Sequence, residues 1–129
     1  MKIEQIFKNL IIANIFLFIA IILSFSFQNQ KVFLLSQSLE KGFFDSIMGL
    51  IIIIFILIFY LLAIYCLYNF KKFGKNFFLY VVIAYISCIL LGKIQIVNQI
   101  SYALQYIATL TDGAILTLLY FSPIKEKFK

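Results

Sequence analysis

Apolar residues in this chain gather into four long stretches separated by short, lysine-bearing connections. The first runs over about 6–27, with no charge between Lys8 and Lys31. The second covers about 43–70, carries no charge from Ser46 onward, and includes the run Ile51-Ile52-Ile53-Ile54. The third covers about 77–97 and is interrupted late by Lys93; the fourth covers about 100–121. Each reaches the roughly 20 residues that a helix needs to cross ~30 Å of hydrocarbon. The short alternating strands of a membrane barrel do not occur. The pattern predicts an all-α fold, an integral membrane four-helix bundle forming a single transmembrane domain over 1–129 with short loops.

The connections add detail. Between the first two spans, Val32, Leu35 and Leu39 recur at helical spacing among polar residues. Two readings stand: a short helix on the outer interface with Gly42 as its stop, or an ordinary polar loop. The segment 70–76, Phe-Lys-Lys-Phe-Gly-Lys-Asn, reads as a tight turn whose lysines and phenylalanines suit a headgroup layer rich in anionic lipid. Ser122-Pro123 ends the last helix, since proline cannot continue it and restricts the residue before it. The tail beyond it reads as a solvated or surface-bound end.

Composition narrows the class. Of 129 residues, 64% are hydrophobic and 12% charged, and the mean hydropathy is +1.08. Soluble domains carry about 25% charged residues, and so little polar surface does not cover a water-soluble globule. The net charge of +6 comes from lysines alone. They lie at the ends of the apolar stretches, where the positive-inside rule places them, and no basic face or recognition module points to nucleic acid. With both termini cytoplasmic, Lys2, Lys8, Lys71, Lys72, Lys75, Lys125, Lys127 and Lys129 lie inside, against only Lys31, Lys41 and Lys93 outside. That bias predicts both ends on the cytoplasmic side, with anionic lipid at that face.

Lys2, Lys8, an apolar core and Ser24-Phe25-Ser26 also resemble a cleavable signal peptide. The apolar stretch exceeds the usual ~7–15 residues of a signal core, which favours a retained span; cleavage would leave three. Cys66 and Cys88 are the only cysteines and histidine is absent. Two such residues do not make a zinc site, and no Cys-x-x-Cys pair suggests thiol redox work. They read as small, buried apolar residues. No cofactor or metal is expected.

The candidate chemistry sits in the fourth span. Asp112 is one of five acidic residues, and the other four fall at or outside span boundaries. A carboxylate within a membrane span is costly and marks a functional hypothesis. Asn98, Ser101, Tyr102, Gln105, Thr109 and Asp112 recur at intervals of one, three or four and form a polar stripe on one helical face. Such a stripe should face the bundle interior or a water-filled space. This makes span four the most interior helix or an oligomer interface. Gly113 and Ala114 beside it, and Gly49 in span two, offer close helix packing.

At ~1.5 Å rise per residue, Asp112 lies roughly 15 Å from the cytoplasmic end. The same rise places Asn14, Tyr60, and Tyr85 or Ser87 at roughly 9–17 Å, so four helices supply one polar layer around the carboxyl group. Amide and hydroxyl donors from Asn14 and Tyr60 satisfy Asp112 in either protonation state. Lys93 lies more than about 10 Å farther along the membrane normal and is expected to snorkel outward or meet Gln95 and Tyr102. With no cation beside it, Asp112 reads more as a neutral hydrogen-bonding post than as a carrier of charge.

The C-terminal run 112–128, Asp-Gly-Ala-Ile-Leu-Thr-Leu-Leu-Tyr-Phe-Ser-Pro-Ile-Lys-Glu-Lys-Phe, resembles the ending of a group of small uncharacterised bacterial inner-membrane proteins. The start Asn9-Leu10-Ile11-Ile12-Ala13-Asn14-Ile15 is similar to theirs as well. The resemblance covers both ends and, in the middle, hydropathy alone. It implies bacterial origin and four spans, and brings no activity. Small multidrug exporters fit less well, because they carry a glutamate in the first span and no acid lies between Glu4 and Glu40 here. Quinone-linked disulfide enzymes carry the Cys-x-x-Cys pair that is missing.

No nucleophile–base pair, metal cluster or phosphate loop is visible, so an enzyme is not expected. The first functional expectation is a structural or accessory membrane protein acting through helix contacts, as a homo-oligomer or with a membrane-protein partner. The alternatives are a minor transport or ion-pathway component using Asp112, and an immunity-type protein against a membrane-inserted toxin.

Overall fold

The computed structural model describes residues 2–27, 29–39, 42–92 and 96–128. Among these residues the fold is all-helical. In chain order it contains α1 (Ile3–Ser26), α2 (Gln30–Ser38), a 3-10 turn (Phe43–Asp45), α3 (Ile47–Tyr68), α4 (Gly74–Leu91), α5 (Gln99–Phe121) and a 3-10 segment (Pro123–Phe128). Helices α1, α3, α4 and α5, of 24, 22, 18 and 23 residues, are each long and apolar enough to cross a membrane. They fit a multi-pass membrane protein. The expectations for Lys93 and Gln95 lie outside the described residues.

Contacts divide the chain into two compact units, one of 1–40 with 94–117 and one of 41–93 with 118–129. In the first unit, α1 and α5 run antiparallel, since Asn14 meets Asp112 and Ser24 meets Ser101. Asn98 starts α5: its side-chain oxygen accepts the Ser101 N–H at 2.6 Å, which satisfies an amide that the first helical turn leaves without a partner. Its amide nitrogen reaches back, at a long 3.4 Å, to the Ser24 carbonyl near the end of α1.

The residues between the first two spans fold as the short helix α2 rather than as a loop. Its Phe33, Leu34 and Leu35 are exposed. Gly42 is not its stop. The helix ends at Ser38, where Leu39 turns extended. Gly42 instead opens the 3-10 turn, donating its N–H to the Asp45 carboxylate at 2.8 Å. Ser46 then caps α3 by accepting the Gly49 N–H at 3.1 Å, so the second span starts four residues later than hydropathy suggests.

In the second unit, α3 and α4 form a tight hairpin. The Phe70 N–H donates to the Leu67 carbonyl at 3.1 Å and the Lys71 N–H to the Cys66 carbonyl at 2.9 Å. This is the Schellman arrangement, which usually places glycine at the left-handed position. Here Phe70 occupies it, at φ 51°. Just beyond, Gly74 packs on the Cys66 backbone, where an added Cβ would stand 3.0 Å from the Cys66 carbonyl carbon. Cys66 and Cys88 are free thiols and half-buried rather than fully buried. Helix α4 ends at Leu91, six residues before the apolar stretch does, with Gly92 extended behind it.

The tail is not a free end. Ser122 donates its hydroxyl to the Leu118 carbonyl at 2.6 Å and accepts the Ile124 N–H at 3.2 Å, which redirects the chain at Pro123. Ile124 and Phe128, four residues apart, are then buried, while Lys125, Glu126 and Lys127 stay exposed. The Phe128 ring lies against Phe70 with centroids 5.4 Å apart. Burying two apolar side chains outweighs leaving the segment in solvent.

Candidate functional site

The site is assembled on the antiparallel pair α1–α5. Asn14 is only 1% exposed, and its side-chain amide donates to an Asp112 carboxyl oxygen at 2.6 Å. Asp112 itself is half-buried. Ten residues further along α1, Ser24 and Ser101 face each other with hydroxyl oxygens 2.7 Å apart, both buried. The Ser24 hydroxyl also donates to the Ile21 carbonyl at 2.7 Å. A hydroxyl has one proton, so Ser101 is the donor across the helix pair. The two rungs are about 15 Å apart along the helices and pin α1 to α5 at two levels.

The remaining stripe residues divide. Gln105 is half-buried, whereas Tyr102 and Thr109 point to the exposed side. The Tyr102 ring lies against Tyr106 with centroids 5.4 Å apart, and the Thr109 hydroxyl returns to its own helix at the Gln105 carbonyl, 2.9 Å away. Thr117 does the same at the Gly113 carbonyl, 2.8 Å away. With their hydroxyls satisfied, both threonines present methyl groups outward. Gly113 lies between them, and no described atom beyond its own stretch of helix falls within 4 Å of where its Cβ would be. Ala114 is half-buried.

Tyr60 and Tyr85 belong to the second unit. The Tyr60 ring lies against Phe78, centroids 6.2 Å apart, and Tyr85 is exposed. Gly49 is buried, and its close neighbour is local: a Cβ there would collide with the Phe44 Cα and the Phe43 carbonyl oxygen. It therefore seats the 3-10 turn on α3 instead of a second long helix.

Helix α5 is the least apolar of the four, yet only 11% of its core stretch is buried, against 17% for each of the others. Its Asp112 and Ser101 meet α1, Ile115 and Leu119 are buried, and Thr109, Leu110, Gly113 and Thr117 are exposed.

Sequence reasoning missed Ser24, which had been read only as part of a cleavage-like triplet. The signal was present: 14 to 24 and 101 to 112 are nearly equal steps, as an antiparallel helix pair requires. It also missed the clasp at the hairpin, where Tyr120 donates to the Asn76 side-chain oxygen at 3.3 Å and the Lys75 ammonium sits 4.1 Å from the Tyr120 ring centre.

Other features offer less chemistry. Among the described residues, no three His, Cys, Asp or Glu side chains gather to hold a metal ion. A groove of about 220 Å³ beside α3 and α4 is lined by Ile56, Phe59, Phe77, Tyr80, Val81 and Ala84, a lining suited to hydrocarbon. Comparison with protein families, curated proteins and solved structures finds no match to this chain.

Proposed function

We propose that this chain is a bacterial inner-membrane protein that works through helix contacts rather than catalysis, with α5 as its contact helix and a second copy of the chain as the first candidate partner. One observation carries the reading: the least apolar of the four spanning helices is also the least buried. In a bilayer, polar helix surface is expected to face protein, because lipid offers it no hydrogen bonds. The open side of α5 presents Thr109, Gly113 and Thr117 at four-residue spacing, the small-residue pattern that lets two helices approach closely. Asn14 and Ser24 hold the Asp112–Ser101 line of α5, about 100° around the helix from Gly113.

The lysine distribution supports both termini in the cytoplasm, and four crossings put the two ends on the same side. The exposed apolar residues of α2 suit a helix lying on the opposite interface.

A photo-activated cross-linker placed at Leu110, which is 69% exposed beside Gly113, tests the contact surface in membranes. The expected product is a covalent dimer. Labelling of lipid alone overturns the reading.

A second reading follows from the half-buried Asp112 carboxyl group: a minor transport or ion-pathway component. It requires flux through protein-containing liposomes that Asp112→Asn abolishes. Unchanged permeability leaves Asp112 as a hydrogen-bonding post between α1 and α5.

A further inference from the structure

We infer that the α3–α4 turn and the folded C-terminal segment form one surface that binds anionic lipid headgroups. The turn contributes Lys71, Lys72 and Lys75, and the segment contributes Lys125 and Lys127. These stretches lie about fifty positions apart in sequence, yet Phe70 of the turn packs on Phe128 of the segment, and Lys75 and Asn76 both meet Tyr120 just before it. Folding of the tail is what unites them. With Glu126 the only acid, five lysines against one glutamate leave this end with a net charge of +4.

Four of these cations are not neutralised locally: among the described residues, no ion pair is seen at Lys71, Lys72, Lys75 or Lys125. Aromatic rings hold two of them instead, with the Lys71 ammonium 4.9 Å from the Tyr65 ring centre and Lys75 over Tyr120. A ring attracts the ammonium without cancelling its charge, so the group is positioned and still available to a phosphate. Phe73 and Phe121 are 82% and 86% exposed at the same end. Exposed phenylalanines beside these lysines suit the boundary between acyl chains and headgroups, where hydrocarbon lies on one side and phosphate on the other. The occupant this chemistry fits is a lipid surface carrying phosphodiester charge.

This inference rests on the membrane reading and is independent of the α5 contact. The test reconstitutes the full chain into phosphatidylcholine vesicles doped with spin-labelled phosphatidylglycerol or spin-labelled phosphatidylcholine. The share of label immobilised by the protein gives the preference for the anionic lipid. Wild type is expected to favour phosphatidylglycerol, and replacing Lys71, Lys72 and Lys75 with Gln should cut that preference at least about fivefold. Phe128→Ala removes no charge but releases the tail, and should lose as much preference as Lys125→Gln with Lys127→Gln. Phe128→Leu, which keeps an apolar anchor, should retain it, and circular dichroism confirms that each variant is folded.

Equal retention of both lipids by wild type overturns the inference. So does full preference in Phe128→Ala, which would make the tail lysines independent charges. Competition by free glycerol phosphate at equal phosphate concentration would also overturn it, by showing a soluble-anion site. Cross-linking at Leu110 touches none of these residues, so the two proposals fail separately.

Discussion

Asn14 and Asp112, 98 positions apart in sequence, meet at 2.6 Å with the amide as donor and the carboxyl oxygen as acceptor. This one contact ties the first apolar stretch to the last. It also sets what Asp112 can tolerate, because an asparagine oxygen accepts the same bond. Asp112→Asn is expected to stay within about 1 kcal/mol of wild type, whereas Asp112→Leu removes this acceptor from the buried Asn14 amide and costs about 1–3 kcal/mol. Reversible unfolding in mixed micelles measures both. A loss in Asp112→Asn as large as in Asp112→Leu would mean that the negative charge itself is needed.

The Ser24–Ser101 rung is predicted to be weak. Double-mutant cycles on hydrogen bonds between membrane helices average about 0.6 kcal/mol. Ser24→Ala, Ser101→Ala and the double variant should give a coupling near that value. A coupling of zero would remove the rung as a tie between α1 and α5.

Phe70 combines a left-handed backbone, φ 51°, with a ring packed on Phe128. Replacing it with Ala loses the ring and keeps the backbone strain, while Gly loses the ring and relieves the strain. Phe70→Gly should therefore be more stable than Phe70→Ala by about 1 kcal/mol. Equal thermal midpoints for the two variants would show that the left-handed turn is not populated.

The glycines separate local packing from association. Gly74→Ala pushes a methyl against the Cys66 backbone and should destabilise the α3–α4 hairpin by about 1–3 kcal/mol. Gly113→Ala meets no described atom beyond its own helix and should leave monomer stability unchanged or slightly higher. Unfolding of the monomer in detergent compares them, and a larger loss at Gly113 than at Gly74 would reverse the assignment.

The four spans were legible because twenty-residue apolar stretches leave few alternatives in a bilayer. Their ends were less so. Apolar residues continue through 43–46 and 92–97, but side-chain caps at Ser46 and Asn98 set where helices start and an extended Gly92 sets where α4 stops. The charges of the tail dominate its composition, while its two buried apolar residues, Ile124 and Phe128, decide its packing. Asp112 stood out for its cost in lipid and Asn14 for its depth; Ser24 was hidden by its resemblance to a cleavage motif. No periodicity foretells a phenylalanine at a left-handed position, where backbone bonds to Leu67 and Cys66 and a ring contact with Phe128 hold the turn.

The most direct test of the account is self-association of the full chain in bilayers, read by energy transfer between donor- and acceptor-labelled copies as protein is diluted into lipid. Wild type is expected to associate, and Gly113→Leu, which fills the strip between Thr109 and Thr117, to weaken association at least about tenfold while leaving monomer unfolding unchanged. Wild type that remains monomeric at every dilution, or Gly113→Leu that associates as strongly as wild type, contradicts α5 as the contact helix.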